Sequence, residues 1–145
     1  MRVLVMVKAN EQSEAAQLPS TEMLEKMGRF NEELVKAGVL LAAEGLQPSS
    51  RGTRFYFTPN AKPRMVDGPF AESKELVAGF WLWQVKSWDE ALEWARRCPN
   101  PGDTGEAQIE LRRVFEADDF GENLTPELRK QEERQRAETA ARRDK

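Results

Sequence analysis

The sequence has no histidine and only one cysteine, and both shortages narrow what the protein can do. Without histidine there is no Ser-His-Asp or Cys-His catalytic arrangement and no imidazole metal ligand. The single cysteine, Cys98, excludes an internal disulfide and fits a reducing compartment, so we expect a cytoplasmic protein. Cys98 precedes a proline at a predicted helix end, a position that does not activate a thiol.

Long apolar runs and a strong charge of one sign are also missing. No run of about 18 apolar residues occurs, so we expect no transmembrane helix, and the apolar start is too short for a signal peptide. A formal charge of -3 gives no general attraction to nucleic acid or to an anionic membrane. No Asp-rich spacing suggests a magnesium or calcium site. We therefore expect no membrane or direct nucleic-acid partner, no metal and no cofactor.

The composition is that of one globular domain with a polar extension. At 145 residues, with 39% hydrophobic and 32% charged residues, one domain is expected. Residues 127–145 carry seven Lys or Arg and five Asp or Glu, and Leu128 is their one large apolar residue. We place the domain at 1–120 and a charged, helical extension at 121–145. That extension is either solvated or an arm that packs on a partner subunit.

Apolar periodicity and capping residues predict the order of elements. Ser20 caps a helix that starts at Thr21 and ends before Gly38, and Ser87 with Glu90 forms a capping box for a helix that starts at Trp88. The core face of this second helix is expected at Trp88, Ala91, Leu92 and Ala95. Strands are predicted at 2–8 (buried on both faces), 39–46, 80–86 and 107–115, with a hairpin over 51–67.

This order predicts an α+β fold, the ferredoxin-like split βαβ pattern with an inserted hairpin. Two helices cover only one face of such a sheet. In the strand 80–86, however, Trp81 and Trp83 share one face while Phe80 and Leu82 share the other. Both faces are therefore apolar, and we expect a homodimer with its sheets packed face to face.

The segment Asp67-Gly68-Pro69-Phe70-Ala71-Glu72-Ser73-Lys74-Glu75 resembles the YCII-related proteins, specifically the DGPF domain group. The resemblance runs from Met1 to about Phe115 and includes Val77-Ala78-Gly79-Phe80. It implies a ferredoxin-like fold that dimerises into an α/β-barrel-like assembly, with a pocket near this loop. Relatives in the wider family use a His-Asp pair, which this chain cannot form. Some DGPF proteins look like companions of extracytoplasmic-function sigma factors.

Asp67 and Glu44 are the candidate acids. Asp67 ends a strand, where its carboxylate either accepts backbone hydrogen bonds in a turn or transfers a proton as the catalytic group. Glu44 interrupts an apolar strand, so it is expected to be buried beside a partner, Arg54 or Lys74, or beside a water-filled pocket. Asn31 interrupts the helix stripe and bonds either to a ligand or to the backbone. The further candidate ligand-binding residues are Phe70, Glu72, Ser73 and Lys74.

Two functions fit these residues. The first is a protein with a pocket for an unknown small molecule, which it either only binds or converts as a weak lyase or hydrolase that uses Asp67. The alternative is a regulatory interaction module without catalysis, for example a sigma-factor companion, which would use the charged extension to bind a protein partner in transcription regulation. The sequence names neither the ligand nor a reaction.

Overall fold

The computed structural model describes residues 1–145, which divide into two compact units, Met1–Arg113 and Val114–Lys145. The first unit is a mixed α+β domain. Its strands are β1 (Arg2–Lys8), β2 (Leu40–Gly45), β3 (Thr53–Tyr56), β4 (Arg64–Asp67), β5 (Val77–Gln84) and β6 (Ile109–Arg113), and its helices are α1 (Glu11–Glu14), α2 (Thr21–Lys36) and α3 (Trp88–Arg97). The second unit contains α4 (Pro126–Arg143).

Four strands form one antiparallel sheet in the order β2-β5-β1-β6. The strands β3 and β4 pair separately as a hairpin, inserted between β2 and β5. The predicted α+β class and the hairpin are confirmed. The aromatic strand, β5, is central in the sheet as expected, although it starts at Val77 rather than at Phe80.

The main helices begin and end at the residues that the capping signals predict. The Ser20 side chain accepts a hydrogen bond from the Met23 amide at 3.1 Å, and Ser87 caps α3 in the same way. Beyond α2, Gly38 has φ +71°, a left-handed conformation that glycine adopts without steric cost. Both helices pack against one face of the sheet, because buried residues of each belong to the same core cluster.

The core lies between that face and the two helices. Trp81 and Trp83 point from β5 toward α2, where Phe30 meets them edge to face at centroid distances of 6.0 and 6.4 Å. Trp94 of α3 packs against Phe30 at 6.3 Å. The predicted core face of α3 is therefore incomplete: Ala91 is buried as expected, but Trp94 is the large core residue of this helix. Trp94 is three residues after Ala91, so the two residues lie on the same side of the helix and both face the aromatic layer.

The other face of the sheet has no helix over it. Strand alternation places Leu4, Met6, Phe80 and Leu82 on this open face, where each is partly exposed. Val3 and Val5, on the helix side of β1, are fully buried. The expectation that residues 2–8 are buried on both faces is therefore wrong within a single chain, because both helices pack on the same side.

The second unit is polar and lightly packed. Phe115 and Phe120 stack at 5.2 Å, and Arg129 pairs with Asp118 at 3.2 Å. The helix α4 buries none of its residues, and it carries ion pairs one turn apart such as Arg136 with Glu132. Its stability depends on such local pairs rather than on an apolar stripe. No helix of the structure is both long enough and apolar enough to cross a lipid bilayer.

We predict that Trp83→Ala lowers the free energy of unfolding by about 3–5 kcal/mol, the usual loss when a buried aromatic side chain is truncated. Trp83 has no exposed area and contacts the centre of the aromatic layer. Urea unfolding followed by circular dichroism measures the change. The control is Phe57→Ala, because Phe57 is 79% exposed and a surface change should stay within about 0.5 kcal/mol. Equal losses in the two variants would contradict the described core.

Candidate functional site

A cavity of about 370 Å³ lies between α2 and the sheet. Its wall is mainly apolar, as is usual for small-molecule pockets. Met23, Met27 and Asn31 reach it from successive turns of α2, since residues four apart share one side of a helix. The remaining lining residues come from α2, β1, β2, β5 and two loops: Leu24, Val7, Pro19, Ala43, Glu44, Gly45, Ala78, Gly79, Phe80, Trp81 and Pro101.

One side-chain hydrogen bond is set into this wall. The indole Nε1 of Trp81 donates to Asn31 Oδ1 at 2.8 Å. Both residues line the cavity, and Asn31 is half-buried. Asn31 was predicted to bond either to a ligand or to the backbone. It bonds instead to a core tryptophan, which holds its amide at the cavity wall.

Glu44 lies at the edge of the cavity but is not buried. It is on β2, an edge strand, and pairs with Phe80, so strand alternation places its side chain on the open face of the sheet. The structure gives it no ion pair with Arg54 or Lys74. The expectation of a buried carboxylate with a cationic partner is therefore wrong, because an edge position lets water solvate the charge.

Asp67 is part of the junction between the hairpin and the loop that follows it. The Thr53 hydroxyl donates to Asp67 Oδ1 at 2.8 Å across β3 and β4, and the carboxyl is exposed. The Gly68 amide donates to the Gly52 carbonyl at 3.0 Å, and a cis peptide bond joins Gly68 to Pro69. The Asp67 carboxylate thus bonds to a side-chain hydroxyl across the hairpin, whereas its structural alternative named backbone N–H donors in a turn.

Phe70 stabilises the same junction through contacts with Ser49 and Arg54. Its amide donates to Ser49 Oγ at 3.0 Å, and the Ser49 hydroxyl in turn donates to the Glu14 carboxylate. The Arg54 guanidinium lies over the Phe70 ring, 3.9 Å from its centroid, in a cation–π contact. Sequence reasoning missed Glu14 and Ser49. Neither stands in a recognisable motif, and 35 residues separate them.

Ser73 and Lys74 line a second, more polar recess of about 820 Å³ with residues 8–12 and 105–108. Glu72 is exposed and precedes the short 3₁₀ turn Ser73–Glu75. The Ser73 hydroxyl forms no hydrogen bond to the Lys74 ammonium, so these two residues do not form a Ser-Lys nucleophile pair.

The predicted site residues thus lie in separate places. Asn31 and Glu44 line the cavity between α2 and the sheet, and Ser73 and Lys74 line the second recess. Neither space is lined by Asp67, Arg54 or Phe70, which meet at the hairpin junction. Asp67 and Glu44 therefore share neither of these two spaces.

The structure supports neither a reactive thiol nor a metal-binding cluster. Burial raises the pKa of the Cys98 thiol to about 11, so it stays protonated at neutral pH and is a poor nucleophile. No group of three or more Cys, Asp or Glu side chains converges as a metal-binding cluster.

We predict that Gly68→Ala destabilises the domain by about 3 kcal/mol, because the added methyl group collides with backbone. A Cβ at Gly68 would lie 1.8 Å from the Ser49 carbonyl oxygen. Thermal unfolding provides the measurement. The matched control is Gly28→Ala on α2, where a Cβ meets nothing within 4 Å. This substitution should stabilise the domain by about 0.5–1 kcal/mol, because alanine is favoured over glycine inside a helix. If the Gly68→Ala variant melts at the same temperature as the wild-type protein, the close contact between Gly68 and the Ser49 carbonyl is not as described.

Comparison with known proteins supplies the family. An uncharacterised protein of Rhizobium meliloti (strain 1021) is 32% identical to this chain over 78 residues. The matched residues cover 54% of this chain and 62% of that protein, so the chain spans less than two thirds of its relative's length. A second similar protein is 5-chloro-2-hydroxyhydroquinone dehydrochlorinase from Burkholderia phenoliruptrix AC1100, whose solved structure is a complex with 2,5-dihydroxybenzoquinone. The two sequences are 16% identical, and the structures superpose with a TM-score of 0.45 over 79% of this chain and 94% of that one. A model of the YCII-related domain matches residues 1–118. Because this match takes in well over half of the sequence, the chain belongs to the YCII-related family, as the residues from Asp67 to Glu75 suggested.

Proposed function

We propose that the domain binds a small, mainly apolar molecule in the cavity between α2 and the sheet. The observation that carries this proposal is the pair of Asn31 and Trp81, which sets an oriented amide into an otherwise apolar wall. A volume of about 370 Å³ is within the range of ligand pockets. Two methionines on α2 add side chains that adapt to irregular ligand shapes.

The proposal concerns ligand binding and does not include a catalysed reaction. A lyase or hydrolase needs a group that can transfer a proton beside the bound molecule. Asp67, the candidate for that role, is bonded to Thr53 at the hairpin junction and does not line this cavity. Glu44 is a lining residue, but its strand position directs its carboxylate to the open face of the sheet and not toward a bound molecule. Proton transfer by Asp67 stays a prediction without geometric support from this cavity.

The regulatory alternative has less support. It depends on the charged extension, but α4 buries no residue and its charges surround the helix. Helices that dock into protein grooves do so through an apolar stripe. Because α4 lacks one, the small-molecule function is favoured.

We predict that Ala43→Phe strongly weakens binding to the cavity. Ala43 pairs with Trp81 on the helix-facing side of the sheet and lines the cavity, so a phenyl group there occupies the ligand's space. A fragment screen by NMR on the wild-type protein identifies binders, and titration of Ala43→Phe should show affinities at least about tenfold weaker, which corresponds to 1.4 kcal/mol. Ala61→Phe, in the exposed hairpin turn, is the control. Fragments that bind both variants equally would place binding elsewhere.

We also propose that a second copy of the chain covers the open face of the sheet. The apolar side chains on this face lie on the two central strands, with Glu44 and Arg112 on the outer strands. An apolar centre with a polar rim is the usual composition of a protein interface. At roughly 25 cal/mol per Å², burying these side chains against their own symmetry mate stabilises the assembly.

We predict a dimer of about 33 kDa in light scattering, twice the chain mass of 16.6 kDa. Leu82→Arg puts a charge in the centre of the open face and should give monomer or aggregate, because an unpaired buried charge is costly. Leu128→Arg, on the exposed α4, should leave the dimer intact. A wild-type monomer at micromolar concentration, or a Leu82→Arg dimer of unchanged affinity, would contradict the proposed interface.

A further inference from the structure

We infer that the cavity between α2 and the sheet selects molecules that carry a hydrogen-bond acceptor, such as a carbonyl oxygen, through the Nδ2 group of Asn31. This inference rests on the proposed small-molecule function and names the chemical class that the site takes. The selecting residue is Asn31, and Trp81 is its positioning residue.

The orientation of the Asn31 amide follows from its partner. An indole N–H is a donor only, so the Asn31 atom that faces Trp81 Nε1 at 2.8 Å must be the oxygen. The usual ambiguity between the oxygen and nitrogen of an amide therefore does not arise here. With Oδ1 held by Trp81, the Nδ2 group is the part of the amide left to bond elsewhere, and the structure gives it no protein acceptor.

The surroundings of this donor offer no competing acceptor side chain on the same face. Along α2, the neighbours of Asn31 in the cavity wall are Met23 and Met27, and thioether sulfur is only a weak acceptor. The other polar residue of the wall, Glu44, is on a strand position whose side chain projects to the open face. A ligand oxygen is thus the strong partner that the Nδ2 group lacks.

The position of Trp81 makes the orientation durable. Its ring is 5% exposed and packs edge to face on Phe30 at 6.0 Å, so the indole cannot turn away without disturbing the core. Trp81 therefore fixes which end of the Asn31 amide faces a ligand. A half-buried donor left unpaired by an apolar ligand costs free energy, so the site discriminates against such ligands.

Two probes of nearly equal shape test this selection: acetophenone and α-methylstyrene, in which a methylene group replaces the carbonyl oxygen. Their dissociation constants are measured by NMR titration of the full chain. We expect Asn31→Asp to reduce the preference for acetophenone over α-methylstyrene by about three- to tenfold, the worth of one neutral hydrogen bond. This substitution keeps an oxygen for Trp81 but replaces the donor with a second oxygen. Asn123→Asp, an exposed change in the second unit, should leave the preference unchanged.

Trp81→Phe provides the second variant and keeps the test decisive if Asn31→Asp does not fold. It retains an aromatic ring but removes the N–H that orients the amide, and we expect the preference to fall here too. Loss of structure alone would weaken both probes equally and leave their ratio unchanged. If both probes bind and the ratio is the same in all proteins, the selection by Asn31 is wrong while the pocket stands. If neither probe binds the wild-type protein at millimolar concentration, the pocket and the selection both fail.

Discussion

The structure depends on the burial of one tryptophan-bearing face of the sheet. The central strand β5 places Trp81 and Trp83 against α2, and Phe30 touches both rings edge to face. Large aromatic side chains contribute much of a small domain's burial energy, and their edge-to-face geometry restricts how the helix can sit. The position of α2 in turn fixes Asn31 and the methionines of the cavity wall. The candidate site is thus a consequence of the core rather than an addition to it.

The loop from Asp67 to Phe70 shows how a recognisable motif can have a structural role. Each of its groups has a backbone or packing reason: a carboxyl that accepts from Thr53, a glycine pressed on the Ser49 carbonyl, and a phenyl ring under Arg54. Such contacts join the hairpin to α1 and to the turn at residues 49–51. A pattern that identifies a family therefore need not mark its reacting groups, because a tight junction also restricts which residue types fit.

Local signals predicted the elements well because each has a short-range cause. The caps at Ser20 and Ser87, the left-handed Gly38 and the alternation of β5 all act within a few residues. The errors concern long-range facts. Glu44 seemed buried because its neighbours are apolar, yet its exposure depends on β2 being an edge strand. The bond from Trp81 to Asn31 spans 50 positions, and only the packing of α2 on the sheet creates it.

The central strand β5 contributes to both faces of the sheet, and its two sets of side chains have different surroundings. In β5, Trp81 faces the helices and the cavity, while its neighbour Phe80 pairs with Met6 and Glu44 on the open face. Period-two alternation forces adjacent residues to opposite sides, so a change on one face leaves the side chains of the other in place. The apolar open face and the wall of the cavity are therefore two surfaces of one strand, and substitutions on them address separate properties of the domain.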